Sequence, residues 1–296
     1  MVYIAERGGN LIKPIIQVKN LRKVYRIGNE QVIALDDISM DICPGQVCCI
    51  IGTSGSGKST LLNQLAGLEK PTRGRVLIAG KNISGYSENE LARFRQKNIG
   101  FVFQSYNLMN TMTAMENVSL PLLFRGVSKD KRDRAARKIL REVGLANRAR
   151  HKPSQMSGGQ QQRVGIARAF VSKPKIIFAD EPTGNLDTKT TIEVMEMMVR
   201  LCRENNQTLI LVTHDTEISE YADRVITLRD GNITSDLVNP DRSRITRRMQ
   251  GDAQEAPPEI WEGSGEVDTI AKAVGLFKSG EAPETTSEDV TQIHKE

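Results

Sequence analysis

No stretch of this 296-residue sequence approaches the roughly 18 consecutive apolar residues that a membrane-crossing helix requires. The opening MVYIAERGGNLIK also lacks the apolar h-region of a secretory signal. Together these lead to the expectation of a chain made and kept in the cytosol. Cysteine is scarce: Cys43, Cys48, Cys49 and Cys202 are all there is, and none has zinc-like spacing. Cys48 and Cys49 are neighbours in a strand-like run, so their side chains point to opposite faces and do not bridge. The expectation is four small, reduced core residues. No internal repeat is evident, and neither a long coiled coil nor a zinc module is present.

Negative charge is thin over most of the chain and dense at its end. The first 240 residues carry 34 Lys/Arg against 24 Asp/Glu, and residues 241–296 carry 7 against 12. A basic body suits an anionic ligand but does not name one.

Residues 1–15 form an N-terminal extension, a loose lead-in with Pro14 near its end. The alternating segment IIQVKNLRKVYRI follows, and GRVLIAG (74–80) is a second β-rich piece. SKDKRDRAARKILREVGL (128–145) has helical periodicity at Ala136, Ile139, Leu140 and Val143, with Gly144 at the stop. Its Lys/Arg run is interleaved with Asp130 and Asp133, which favours a solvated face over a nucleic-acid surface. KIIFAD (175–180) and TLILVTH (208–214) have the apolar density of buried parallel strands, each ending in a polar residue. In open α/β sheets the ligand crevice lies at such carboxyl ends. Between them Ile192, Met195, Val199 and Cys202 are spaced as the core face of a helix. Residues 241–296 are expected to be a mostly disordered acidic tail, rich in Gly, Pro, Ser and acid from 249 on. Within it RSRITRR (242–248) is taken as a solvated linker in preference to a lipid contact, and IAKAVGLFK (270–278) as a short helix or docking motif.

The strongest motif is Gly52-Thr53-Ser54-Gly55-Ser56-Gly57-Lys58-Ser59, which fits the P-loop pattern G-x-x-x-x-G-K-[ST]. The strand-like QVCCII runs into it and the helix-like STLLNQLAGL runs out. Glycines let consecutive N–H groups curl around phosphate oxygens, and the helix N-terminus adds positive potential. Lys58 brings a charge to the β/γ oxygens, Ser59 offers its hydroxyl to Mg²⁺, and Thr60 is placed to assist at the phosphates. Such a site needs a carboxylate on a neighbouring strand. Asp180, ending KIIFAD, suits the ordering of the metal's shell, and Glu181 suits polarisation of the attacking water.

More than 120 residues separate the P-loop from Asp180, so a substantial segment lies between the two halves of the site. Inside it, MSGGQQQRV (156–164) places Ser157 and Gln160 as a capping box, with Gly158 and Gly159 bare on the helix N-terminus. Val164, Ala167 and Val171 continue as the apolar side of the helix. By itself this is either an ordinary helix cap or a second anion cradle.

SGGQ followed by QQR, upstream of an Asp-Glu pair, resembles the signature of ATP-binding cassette (ABC) ATPases, with Met156 in place of the usual leucine. The resemblance covers roughly residues 16–235. It implies an α/β fold: a P-loop NTPase with a RecA-like mixed sheet core, an antiparallel β subdomain and an inserted α-helical signature subdomain at about 105–172. The cassette as a whole is placed at 16–240. The family pattern further implies that Gln104 in FVFQ contacts Mg²⁺ and water, that Tyr25 stacks on adenine, and that Asp187 in TGNLD bridges a dimer. His214 matches the switch histidine that reaches the γ-phosphate. The implied ligands are ATP and Mg²⁺, the latter held by Ser59, Gln104 and Asp180. The implied partners are a second copy or a paralogous ATPase subunit, and an integral membrane permease at the cytoplasmic face of the plasma membrane. No nucleic acid is expected. Ser157, Gly158, Gly159 and Gln160 of one copy would then hold the γ-phosphate on the other copy's P-loop. Within the family, TGNLD and SGGQQQR are most similar to the macrolide-exporting (MacB-like), lipoprotein-releasing, antimicrobial-peptide-resistance and FtsE-type group. That leaves an exporter or lipoprotein/peptide-type system, with an FtsE-like regulator of the cell envelope as the alternative. DNA-repair and translation-factor relatives carry coiled coils, zinc modules or two cassettes, none of which is present.

Overall fold

VCCII, residues 47–51, is buried at every position and forms a central strand of the larger sheet. The computed structural model describes residues 13–239 together with residues 6–7 and 10–11. The chain opens with the paired two-residue strands β1 (Glu6–Arg7) and β2 (Asn10–Leu11). Then come β3 (Ile16–Ile27), β4 (Glu30–Ile42), β5 (Val47–Ile51) and α1 (Lys58–Leu65). Next are β6 (Arg73–Ile78), β7 (Lys81–Asn82), α2 (Glu88–Asn98) and β8 (Ile99–Phe103). Three helices follow: α3 (Ala114–Phe124), α4 (Lys129–Glu142) and α5 (Gly158–Phe170). The last part holds β9 (Ile176–Asp180), α6 (Thr188–Glu204), β10 (Thr208–Thr213), α7 (Thr216–Ser219), β11 (Arg224–Arg229) and β12 (Asn232–Val238). The expected lead-in at 1–15 is thus partly structured, since it contains the β1–β2 pair and Ile15 already donates to the Ile42 carbonyl at 2.8 Å. The expectations for 241–296 lie outside the described residues.

The six-stranded sheet has the order β12-β11-β5-β10-β9-β8, with only β12 antiparallel. Apolar side chains fill β5, β9 and β10 because both faces are covered, as parallel strands require. The second sheet is antiparallel, in the order β4-β3-β6-β7. Leu61, Leu62 and Leu65 of α1 share one core with Ile16, Leu21 and Leu35 from that sheet and with Ile50, Phe178 and Ile210 from the first. The helix that follows the P-loop sequence is therefore anchored by both sheets.

The basic segment after residue 128 is the helix α4, with Ala136, Ile139, Leu140 and Val143 buried and Gly144 at a φ of 76°. In α6 the structure corrects one position: Met195, Val199 and Cys202 are buried, but Ile192 is 45% exposed. The apolar arc begins later, at Val194, and Ile192 projects beyond its edge. All four cysteines are free and buried. Burial pushes the Cys48 thiol up to about 12, so it is an inert core residue.

Candidate active site

Parallel pairing brings the chemistry together. Thr213 of β10 lies opposite Ile51, the last residue of β5, and Val212 lies opposite Asp180 of β9. Asp180 in turn lies opposite Phe103 of β8. Four strands thus deliver the P-loop, Asp180–Glu181, His214 and Gln104 to one sheet edge.

The P-loop's backbone demands its glycines. A Cβ on Gly52 would meet the Leu228 carbonyl at 2.2 Å and Ser56 Oγ at 2.6 Å. Gly57, at a φ of 100°, would strike the Ala34 carbonyl at 2.5 Å. Gly57 is also the N-cap of α1 and offers no side-chain acceptor, and no acid occupies the first turn. The first N–H groups of this helix therefore point into the loop without a capping side chain, which fits a phosphate. Ser56 Oγ is buried there without a partner among the described residues. Lys58 Nζ donates to the Gly52 and Thr53 carbonyls, both at 2.8 Å. Burial lowers the Lys58 pKa, opposed by the charges of Glu181 and Asp180. Burial and then Glu181 raise the Asp180 carboxyl, with Lys58 pulling the other way.

Glu181 holds a left-handed backbone at a φ of 43°, fixed by its N–H donating to the Val212 carbonyl at 2.8 Å. A non-glycine residue in that region carries strain and recurs at functional sites. The turn brings its carboxylate to the next strand's end, where Oε1 lies 2.9 Å from His214 Nδ1. The two residues border one cavity of about 250 Å³ with Thr183, Gly184, Thr213 and Asp215. Gln104 packs so closely on the next turn that a Cβ at Gly184 would sit 2.7 Å from its Nε2. Its carbonyl accepts from Asn185 Nδ2 at 3.0 Å.

Ser157 and Gln160 form the capping box at the start of α5. Gly158 and Gly159 serve packing within the chain as well: a Cβ would come 2.9 Å from Tyr106 Oη or 2.6 Å from Thr190 Cγ2, respectively. Asp187 caps α6, accepting from the Thr190 N–H at 3.0 Å and from Thr190 Oγ1 at 2.7 Å. Thr60 lies in the first turn of α1, and Asn63 of the same helix shares Glu69 with Tyr25 of β3. Sequence reasoning missed Gln162, which is fully buried and donates to the carbonyl of Pro182, directly after Glu181. A third glutamine in a polar run gave no signal of its burial. It also missed Arg168, whose guanidinium donates to the Tyr106 and Asn107 carbonyls and fixes the segment after Gln104.

The family model described as ABC transporter matches residues 35–184, which span the P-loop, the signature helix and the Asp180–Glu181 pair. The chain belongs to the ABC transporter ATP-binding family. The cassette is an ATPase of that family. It is 49% identical, over 76% of this chain and 100% of the relative, to an ABC transporter ATP-binding protein of Methanocaldococcus jannaschii. It is 44% identical to the macrolide export ATP-binding/permease protein MacB of Chlorobaculum tepidum, over 88% of this chain and 40% of MacB. The chain thus spans well under half the length of that relative. Among solved structures, the ATP-binding cassette MJ0796, a dimer in a post-hydrolysis state bound to ADP and Pi, superposes with a TM-score of 0.71 at 41% identity. That match covers 75% of this chain and 98% of the other.

Proposed function

We propose that two copies of this cassette close head to tail around two Mg-ATP and drive a separate membrane permease, in an exporter or lipoprotein/peptide-type system. The observation that carries the reading is the Glu181–His214 pair at 2.9 Å, held at the same sheet edge as Lys58 and Asp180. The dimeric MJ0796 cassette and the MacB relative support the partner assignments.

Backbone N–H groups of 52–57, Lys58 and Ser59 would hold the triphosphate, and Ser59, Asp180 and Gln104 would hold Mg²⁺. The metal supplies charge neutralisation at the phosphates. Glu181 orients water and accepts its proton, while His214 fixes the carboxylate's direction and turns toward the γ-phosphate. The bare start of α5 at Gly158 and Gly159 would supply N–H groups to the nucleotide of the facing copy. Closure buries like-charged phosphates between two sets of donors. Hydrolysis removes that glue and reopens the pair, and the motion is passed on near residues 105–118.

Glu181→Gln should retain ATP and trap a stable dimer. Light scattering on the size-exclusion peak checks this, and a monomer at saturating ATP refutes the composite site.

A further inference from the structure

Tyr25 does not stand alone on β3. Its hydroxyl donates to Glu69 Oε2 at 2.6 Å. Glu69, in the loop after α1, gathers two further donors: Lys23 Nζ at 3.1 Å on the same oxygen and Asn63 Nδ2 at 3.0 Å on the other. Lys23 is held in turn by the Lys70 carbonyl at 2.9 Å. Two residues before Tyr25 on the same strand face, it places its ammonium over the Tyr25 ring, 5.0 Å from the centroid. One face of the ring is thereby covered by a cation, and the hydroxyl end is clamped.

We propose that Glu69 is a positioning residue for adenine recognition: it locks the Tyr25 ring to the end of the phosphate-binding helix and keeps one ring face presented to the base. This rests on the reading that Tyr25 stacks on adenine. The geometry explains why a carboxylate serves here. Only an acceptor with two oxygens can take the Tyr25, Lys23 and Asn63 donors together and bridge β3 to α1. Burial pushes the Glu69 carboxyl up, but the hydrogen bonds from Tyr25, Lys23 and Asn63 outweigh it and hold the group below its ordinary range. The anion is therefore the working form at neutral pH. Because Asn63 belongs to α1, the base platform and the phosphate cradle are tied to one helix.

The test is calorimetric titration of the full chain with ADP and, separately, with pyrophosphate, which has phosphates but no base. Glu69→Ala should weaken ADP about five-fold, the scale of one ordinary net hydrogen bond, since Glu69 acts on the base only through the Tyr25 ring. Glu69→Gln, which keeps an acceptor oxygen, should recover part of that loss. Tyr25→Phe should match Glu69→Ala, and the double variant should be no weaker than either single one. Pyrophosphate affinity should stay constant throughout. Unchanged ADP binding in Glu69→Ala overturns the proposal, as does an equal loss for pyrophosphate or a multiplicative loss in the double variant. Tyr25→Ala separates the layers, with a loss of roughly ten-fold expected from lost base stacking. No loss there removes the adenine reading itself, whereas a loss there with none in Glu69→Ala removes only the positioning role.

Discussion

Replacing Gly159 by alanine sets two effects of opposite sign against each other. Helix propensity alone favours alanine by about 1 kcal/mol at an interior position. The structure opposes it: the new Cβ would lie 2.6 Å from Thr190 Cγ2, roughly 1 Å inside ordinary carbon–carbon contact. A threonine methyl can swing away only by rotating χ1, and this one is pinned. Thr190 Oγ1 donates to Asp187 Oδ2 at 2.7 Å, and its N–H takes the other Asp187 oxygen at 3.0 Å. Overpacking of this kind costs about 1–3 kcal/mol, so the net change runs from near zero to a loss of about 2 kcal/mol. For a domain of this size that lowers Tm by up to roughly 8 °C. Thr190→Ser removes the methyl and keeps the hydroxyl, so Gly159→Ala/Thr190→Ser should regain most of the Tm in differential scanning calorimetry. If the start of α5 caps the facing copy's nucleotide as proposed, ATP hydrolysis by the double variant should nevertheless stay at least about ten-fold below wild type, because a side chain remains where bare N–H groups are needed. A raised Tm in Gly159→Ala refutes the packing argument. Full ATPase activity in the double variant refutes the phosphate role, leaving the glycine as an internal fit.

Asp180→Asn should raise Tm at neutral pH while abolishing Mg²⁺-dependent hydrolysis. The folded carboxyl is raised by burial and by Glu181, so ionisation costs stability as pH climbs. The gain should shrink toward about pH 4, where the unfolded carboxyl also protonates. A lower Tm for Asp180→Asn at neutral pH contradicts this. Lys58→Ala should weaken ADP binding by roughly ten- to a hundred-fold, the worth of lost charge-assisted bonds, and unaltered affinity removes the P-loop assignment. Gln162→Ala takes away the buried amide that bonds the Pro182 carbonyl. It should cost about 1–3 kcal/mol and slow hydrolysis by loosening the turn that aims Glu181. An unchanged melting curve counts against it.

Contiguous chemistry was legible without coordinates. The P-loop, the Asp180–Glu181 pair and the Ser157–Gln160 capping box are each written within a few residues, because backbone conformation and helix caps depend on near neighbours in sequence. The helix at α4 and the buried strands β9 and β10 were legible for the same reason: their periodicity lies within one element. Ile192 shows the limit. Its spacing suited the core face, but which arc of α6 is covered depends on what packs against it.

Sequence alone singled out the side chains suited to phosphate chemistry and indicated the helices and strands around them. Tertiary structure decided which of them meet. Glu181 and His214, 33 positions apart, become partners because β9 and β10 pair in parallel and in one register. Tyr25 and Glu69, 44 positions apart, join because α1 is seated between two sheets. Gly159 faces Thr190 only because α5 docks beside the start of α6. Such distances follow from strand order and helix seating, which the whole buried surface selects together and no local pattern contains.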